Sequence, residues 1–178
     1  GQQGLRTMRA RDKIMRRAIA GIFVLLAVCA EGSAQDAAPK LKIDIDVALK
    51  DAKVVLNLDH LAFDKKEPFG LLYARLMHER FTADKTTWQV IAIFHGPAGY
   101  MALNDKAYNR VRKTRTGNPY ARQIVALQAA GIRFEICGQT ARDNKWVNDD
   151  LLPGVAVNSG ANFRIIQLVQ DGFVQIQP

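Results

Sequence analysis

The stretch that decides the fold is Tyr120–Asp143, which has the sequence YARQIVALQAAGIRFEICGQTARD. Its first half carries apolar residues at helical spacing, and Gly131 is a typical helix stop. Ile132–Cys137 follows as a short, mostly apolar strand pattern. Thr140–Asp143 then matches a capping box, which predicts the start of another helix. A helix, a strand and a second helix in direct succession indicate an α/β fold.

The same alternation continues on both sides of this stretch. Five apolar runs bounded by polar or turn residues are typical of strands: Val54–Asp59, Gln89–His95, Ile132–Cys137, Val155–Val157 and Phe173–Ile176. Helical patterns separate them, the first beginning at Pro68. Strands that alternate with helices join by right-handed parallel crossovers. The sequence therefore predicts a three-layer α/β/α sandwich around a five-stranded, mostly or wholly parallel sheet, of the flavodoxin-like kind.

The first 34 residues have the three parts of a secretory leader. Arg9–Arg17 is basic, Ala18–Ala30 is apolar, and Gly32-Ser33-Ala34 supplies small residues before a cleavage point. We predict cleavage after Ala34 and a periplasmic or secreted mature protein. The apolar run is shorter than the roughly 20 residues that span a bilayer, so membrane attachment is expected only through an uncleaved leader. A buried amphipathic helix is the alternative interpretation of this run.

Cys29 lies inside the predicted leader. Leu26–Cys29 distantly resembles a lipoprotein cleavage site, so lipidation of Cys29 is a second alternative for this region. Cleavage after Ala34 would instead leave Cys137 as the single thiol of the mature protein. An intramolecular disulfide is then excluded, although the predicted destination is oxidising.

The chain has one predicted folded domain, since 178 residues suffice for a single core. Residues 35–52 are predicted to be a linker or an extra edge strand, and residues 53–178 the α/β domain. The formal charge is +8, but residues 1–35 contain six basic and two acidic side chains, which is half of the excess. The basic stretch around Arg110–Arg115, predicted to be a loop, has no aromatic stacking platform, so nucleic acid is not an expected partner.

Candidate site residues follow the predicted strands. Ligands of open α/β sheets bind beyond the carboxyl ends of the strands, where all parallel strands meet. The polar, small or sulfur-containing residues at those positions are Asn57, Asp59, His95, Gly96, Cys137, Gln139, Thr140, Ser159 and Gly160. We expect them to converge on one edge of the sheet.

Cys137 is the most informative of these residues. It ends a strand just before a predicted helix start, where backbone N–H groups and the helix dipole favour a thiolate. A thiolate is the form that attacks sulfur or carbon. The alternative is a buried cysteine that only packs, because a free cysteine also behaves as a small apolar residue.

The remaining candidates carry weaker chemistry. His95 could carry a proton or orient a ligand, or could simply bond a neighbouring loop. Asn158–Gly160 opens a helix and could hold an anion on free N–H groups. The three histidines and Cys137 lack metal-ligand spacing, and no phosphate-binding loop or G-x-S-x-G motif occurs. The sequence therefore predicts no metal and no cofactor.

Several short motifs occur together in one order. They are Lys53–Asn57, Phe94–Pro97, Ala130–Cys137 with Thr140, Leu151–Val155 and Gln170–Pro178. With its motifs in this order, the chain resembles the DsrE/DsrF-like family, in particular its exported single-domain members, from about Lys53 to the end. The resemblance implies a five-stranded flavodoxin-like sandwich that assembles into homotrimers or homohexamers.

The resemblance also implies a chemistry for Cys137. Sulfur-relay members of the wider family carry a persulfide on a cysteine at the end of the third strand, which is the position of Cys137. The function this implies is handling of sulfane sulfur, with a sulfur donor or acceptor protein as partner. The competing hypothesis is a non-catalytic oligomeric module, structural or binding a small ligand, in which Cys137 is only packed.

Overall fold

The strands of the protein alternate with helices along the chain, in a computed structural model that describes residues 41–178. The strands in this range are β1 Asp51–Leu58, β2 Phe63–Asp64, β3 Glu67–Pro68, β4 Thr87–Phe94, β5 Arg133–Cys137, β6 Ala156–Asn158 and β7 Val174–Ile176. Five of them form one sheet in the order β6-β5-β4-β1-β7, with every neighbouring pair parallel. The prediction of a five-stranded parallel α/β sheet is confirmed.

The helices connect successive strands of this sheet. They are α1 Phe69–Ala83, α2 Asp105–Arg112, α3 Ala121–Ala129, α4 Gly138–Asp143 and α5 Ala161–Gln170, with 3-10 turns at Gly96–Ala102 and Asn148–Asp150. The side chain of Asn104 caps α2 by accepting a hydrogen bond from the N–H of Ala107 at 2.9 Å. Gly131, with φ of +104°, follows the end of α3 as its sequence position predicted.

The sheet buries apolar side chains on both faces, because neighbouring residues of a strand point to opposite sides. On the first face, Leu56, Ala92 and Phe134 belong to a large core with α1, α2, α3 and the 3-10 turn after β4. On the second face, Val55, Ile91 and Ile93 pack against Ala161, Ile165 and Leu168 of α5. The two cores form the α/β/α layers, and within the described residues α5 is the helix of the second face.

Three local predictions need correction. The helix after β5 begins at Gly138, with Cys137 rather than Thr140 at its N-cap position. Arg110 and Arg112 lie in α2 rather than in a loop, because Asn104 caps a helix that ends only at Arg112. The short antiparallel hairpin of β2 and β3 was not predicted, since strands of two residues have no visible periodicity.

The predictions for the amino-terminal region fall partly outside the described residues. The leader 1–34, its cleavage after Ala34 and the fate of Cys29 all lie there. In the described part of the predicted linker 35–52, strand structure begins at Asp51. The preceding residues are held to the sheet by the hydrogen bond from the N–H of Thr87 to the carbonyl of Lys50, at 2.9 Å. Between residues 41 and 178, no helix combines the length and apolarity that crossing a membrane requires.

Candidate functional site

The carboxyl ends of the strands bring the predicted site residues to one edge. Cys137 is paired with Asn158 of β6, and Phe94 of β4 with Ile136 of β5. His95 therefore follows in register beside Cys137, on the same face of the sheet. Neighbouring strands are about 4.8 Å apart, so the imidazole, the thiol and the Asn158 amide form a row across three strands.

The Cys137 thiol lies where two helices begin. Cys137 is the N-cap residue of α4, and its Sγ accepts a hydrogen bond from the N–H of Ala161, the first residue of α5, at 3.3 Å. Only 6% of Cys137 is exposed, and it belongs to the core of the second face. The first N–H groups of a helix have no partner within the helix, so they are available to an anion.

These surroundings change the acidity of the thiol. Burial raises the pKa of Cys137, but the N–H groups of Thr140, Ala161 and Gln139 and the Thr140 hydroxyl outweigh it, so that the pKa lies below its usual value. The lowering does not depend on a cationic side chain. The site therefore favours the nucleophilic thiolate through fixed dipoles alone.

Thr140 links the loops that follow β4 and β5. Its Oγ1 accepts a hydrogen bond from the N–H of Gly96 at 3.0 Å, which leaves the hydroxyl hydrogen for donation to the sulfur. The packing here is close: a Cβ added to Gly138 would lie 2.6 Å from the carbonyl oxygen of Asn158. Gly138 is therefore required by the approach of β6 to the start of α4.

His95 is paired with Asn57 on the neighbouring strand. Its Nε2 lies 2.6 Å from Oδ1 of Asn57, and because an amide oxygen only accepts, Nε2 is the protonated nitrogen of the ring. Burial lowers the pKa of His95, and the negative charge of Asp59 opposes this shift only in part. His95 is therefore neutral at neutral pH and is not a cationic partner for the thiolate.

The side chains of the other predicted site residues make contacts elsewhere. Asp59 bonds His60 and Gln177 at 2.8 Å each, and the His60 contact contributes most to lowering the pKa of Asp59. Gln139 is exposed and bonds Asp143 and Arg142 on its own helix. Ser159 and Gly160 lie in the connection between β6 and α5, directly before Ala161, whose N–H bonds Cys137 Sγ.

Two residues of this region, Glu135 and Arg164, were not predicted from the sequence as site residues. Glu135 lies on β5 two residues before Cys137, is 3% exposed, and is bonded by Arg164 of α5 and by Asn158. A signal was present, because a carboxylate between Phe134 and Ile136 in a buried strand needs a partner. The identity of the partner, 29 residues later in the chain, could not be read from spacing.

Two cavities of the described residues lie away from the thiol. An open apolar groove of about 750 Å³ is at the opposite, amino-terminal edge of the sheet, where Ala52, Met77 and Trp88 contribute to its walls. A second, much smaller cavity lies beside Leu58 and Met101. Over residues 41–178, no three His, Cys, Asp or Glu side chains are grouped so that they could hold a metal ion.

Fold and site together define a class of protein: an α/β sandwich with one thiolate-stabilising cysteine at the carboxyl edge of its central sheet. The chain belongs to the DsrE/DsrF-like family, whose sequence model matches residues 52–178. No curated protein sequence gives a significant match.

Solved structures similar to this chain include one archaeal and one bacterial protein. A protein of unknown function, MTH1491 from Methanobacterium thermoautotrophicum, is 23% identical, with a TM-score of 0.57 over 72% of this chain and 100% of its own. The ychN protein from E. coli is 14% identical, with a TM-score of 0.49 over 71% of this chain and 99% of its own. The likeness to MTH1491 shows the fold.

Proposed function

We propose that this protein carries sulfane sulfur as a persulfide on Cys137. The observation that supports this most directly is the N–H of Ala161 bonded to Cys137 Sγ at the start of α5. A site that stabilises a thiolate also stabilises the more acidic persulfide anion, because both place negative charge on sulfur at the same dipoles. Membership of the DsrE/DsrF-like family agrees with this function.

The loading step is a thiolate attack on a donor persulfide. The sulfur of Cys137 attacks the outer sulfur of R–S–SH, and a new S–S bond forms on Cys137. The S–S bond of the donor breaks, and its electron pair leaves on the thiolate R–S⁻. The proton stays on the transferred sulfur. The reaction moves one sulfur atom without an external oxidant or reductant.

The compartment and the partner belong to the same proposal. The basic, apolar and small-residue parts of residues 1–34 support export to the periplasm or beyond. The donor is then a small persulfide or polysulfide, or an exported protein that bears a persulfide, and the acceptor is a thiol. A single thiol with no second cysteine in the mature chain is suited to carrying sulfur rather than to forming a disulfide.

Loading of Cys137 can be measured directly by intact mass. After incubation with polysulfide, the Cys29→Ser protein is expected to gain the mass of one sulfur atom, and to lose it again on treatment with a reducing thiol. The Cys29→Ser/Cys137→Ser protein is the matched control and should gain nothing. A Cys137 that stays unmodified at every polysulfide concentration would contradict the proposal.

The second candidate function is the non-catalytic module in which Cys137 is only packed. It is favoured by the 6% exposure of Cys137 and by its membership of the second core. The two candidates differ in the result of the same experiment. A packed thiol resists polysulfide in the folded protein and becomes reactive only when the chain is unfolded in denaturant.

We also propose that the protein is a homo-oligomer, a trimer or a hexamer, that assembles through α5. This helix buries Ala161, Ile165 and Leu168 against the sheet, yet its outer side carries Phe163, Ile166 and Val169, which are 78%, 54% and 47% exposed. A helix that is apolar on both sides is typical of a buried helix. A second copy of the chain would cover this outer stripe.

Light scattering tests the assembly. Phe163→Gln/Ile166→Gln is expected to reduce the molar mass in solution from that of a trimer or hexamer to that of a single chain, because it removes the apolar centre of the interface. Val125→Gln replaces an apolar side chain on α3 that is nearly as exposed as Ile166, and it should leave the mass unchanged. A wild-type protein that is already monomeric, or a double variant that keeps its mass, would refute assembly through α5.

A further inference from the structure

The buried carboxylate of Glu135 connects three elements next to the thiol. Arg164 of α5 donates to it through Nε, at 3.2 and 3.1 Å from the two oxygens, and through Nη2 at 3.0 Å. Asn158 at the end of β6 donates through Nδ2 at 3.1 Å. Glu135 itself is on β5, two residues before Cys137 and on the same face of the sheet.

The two donors lie on either side of the connection that reaches the sulfur. The chain runs from Asn158 through Ser159 and Gly160 to Ala161, whose N–H bonds Cys137 Sγ, and Arg164 follows one turn later in α5. One carboxylate thus fixes this connection at both ends. Burying a charge pair is a weak source of stability, since apolar side chains of similar volume often serve as well. What the pair supplies here is a fixed geometry.

We propose that Glu135 is a positioning residue for the thiol: through Asn158 and Arg164 it holds the connection between β6 and α5, so that the Ala161 N–H stays directed at Cys137 Sγ. The inference deepens the proposed function, which needs the thiolate as nucleophile. It concerns only the protonation of Cys137, and is therefore tested without sulfur transfer.

The direction of the effect separates positioning from direct charge interaction. The charged or titratable side chains on or next to the elements around Cys137 are His95 directly after β4, Arg133 and Glu135 on β5, Arg142 and Asp143 on α4, and Arg164 on α5. The negative charge of Glu135 by itself disfavours a thiolate nearby, so its removal would increase the thiolate fraction. Loss of the aligned N–H group would decrease that fraction. The two effects of removing Glu135 have opposite signs.

A spectroscopic titration of Glu135→Gln decides between them. The ultraviolet absorbance of the thiolate is followed against pH in the full chain, and the same titration of Cys137→Ser is subtracted as the blank. We expect the thiolate fraction at neutral pH to fall about two- to fivefold, the range that one helix N-terminus contributes. An unchanged or increased fraction in the folded variant would overturn the proposal.

Two further variants serve as the control and as the substitute for Glu135→Gln. Glu67→Gln is the matched control, because Glu67 is also bonded by an arginine, Arg75 at 3.0 Å, but lies in the separate β2–β3 hairpin. It should leave the thiolate fraction unchanged. If Glu135→Gln does not fold, Arg164→Lys takes its place: it keeps the positive charge and loses the two-nitrogen contact. A thiolate fraction equal to that of the wild type in Arg164→Lys would then overturn the proposal.

The result of the thiolate titration does not depend on whether Cys137 can be loaded with sulfur. If Cys137 takes up no sulfur but Glu135→Gln still lowers the thiolate fraction, the positioning role holds and the carrier function fails. If Cys137 loads sulfur and the thiolate fraction does not fall in Glu135→Gln, the carrier function holds and the positioning role fails.

Discussion

Replacing Arg164 with methionine is expected to lower the free energy of unfolding by about 3–5 kcal/mol. Glu135 is 3% exposed, and Arg164 is the cation that bonds both of its oxygens. Methionine fills a similar volume but leaves the buried carboxylate with only the longer contact to Arg133, 3.7 Å away and largely exposed, as its positive neighbour. The change is measured by urea unfolding followed by circular dichroism, at neutral pH.

The double variant Glu135→Leu/Arg164→Met is the decisive control for this prediction. Removing both charges avoids the uncompensated carboxylate, so it should cost much less than Arg164→Met alone. Arg75→Met gives a second comparison, because its partner Glu67 is partly exposed and such pairs contribute at most about 1 kcal/mol. Equal losses for Arg164→Met and Arg75→Met would show that the Glu135 pair is not a buried charge pair in energetic terms.

Phe94→Ala should destabilise the protein by a similar amount, about 3–5 kcal/mol. Phe94 ends β4 directly before His95, is fully buried, and stacks on Phe134 of β5 with ring centroids 5.7 Å apart. Alanine would leave a cavity in the core of the first face, beside Phe134. The hydrogen-bonded strands on that side cannot move to fill it. Urea unfolding measures the loss.

The control for the cavity effect is Phe63→Ala. Phe63 is 37% exposed in the short hairpin, so less apolar area returns to water and little cavity remains. Its loss should be well below that of Phe94→Ala. Comparable values for the two variants would mean that the stack on Phe134 contributes no packing energy beyond burial.

The sequence predicted the elements of the fold better than their arrangement. Runs such as Val54–Asp59 and Ile132–Cys137 are apolar because both faces of a parallel strand are buried, and each contains or overlaps an observed strand. The order β6-β5-β4-β1-β7 has no signature in any single segment. It depends on which faces pack together, and this is decided by contacts between residues distant in the chain.

For the candidate site too, positions along the chain were predictable and contacts between distant residues were not. The position of Cys137 at a strand end could be predicted, because parallel strands place their carboxyl ends at one edge. The N–H of Ala161 could not, since every residue except proline has such a group and only the fold directs it. The prediction of an N-cap at Thr140 was wrong because α4 begins earlier, with Cys137 at the N-cap position, and a cysteine is not among the usual capping residues.

The coverage of the second face by α5 has a consequence for how reagents reach the sulfur. In the part of the chain that the structure describes, the same ten-residue helix buries the second core, supplies the N–H to Cys137 and carries Arg164. Partial opening of a protein requires less free energy than unfolding all of it. Transient release of α5 alone would uncover the thiol while the larger core of the first face remained intact. The accessibility of Cys137 and the Ala161 hydrogen bond to its sulfur are thus governed by one local equilibrium, so a condition that loosens α5 exposes the sulfur and removes that bond together.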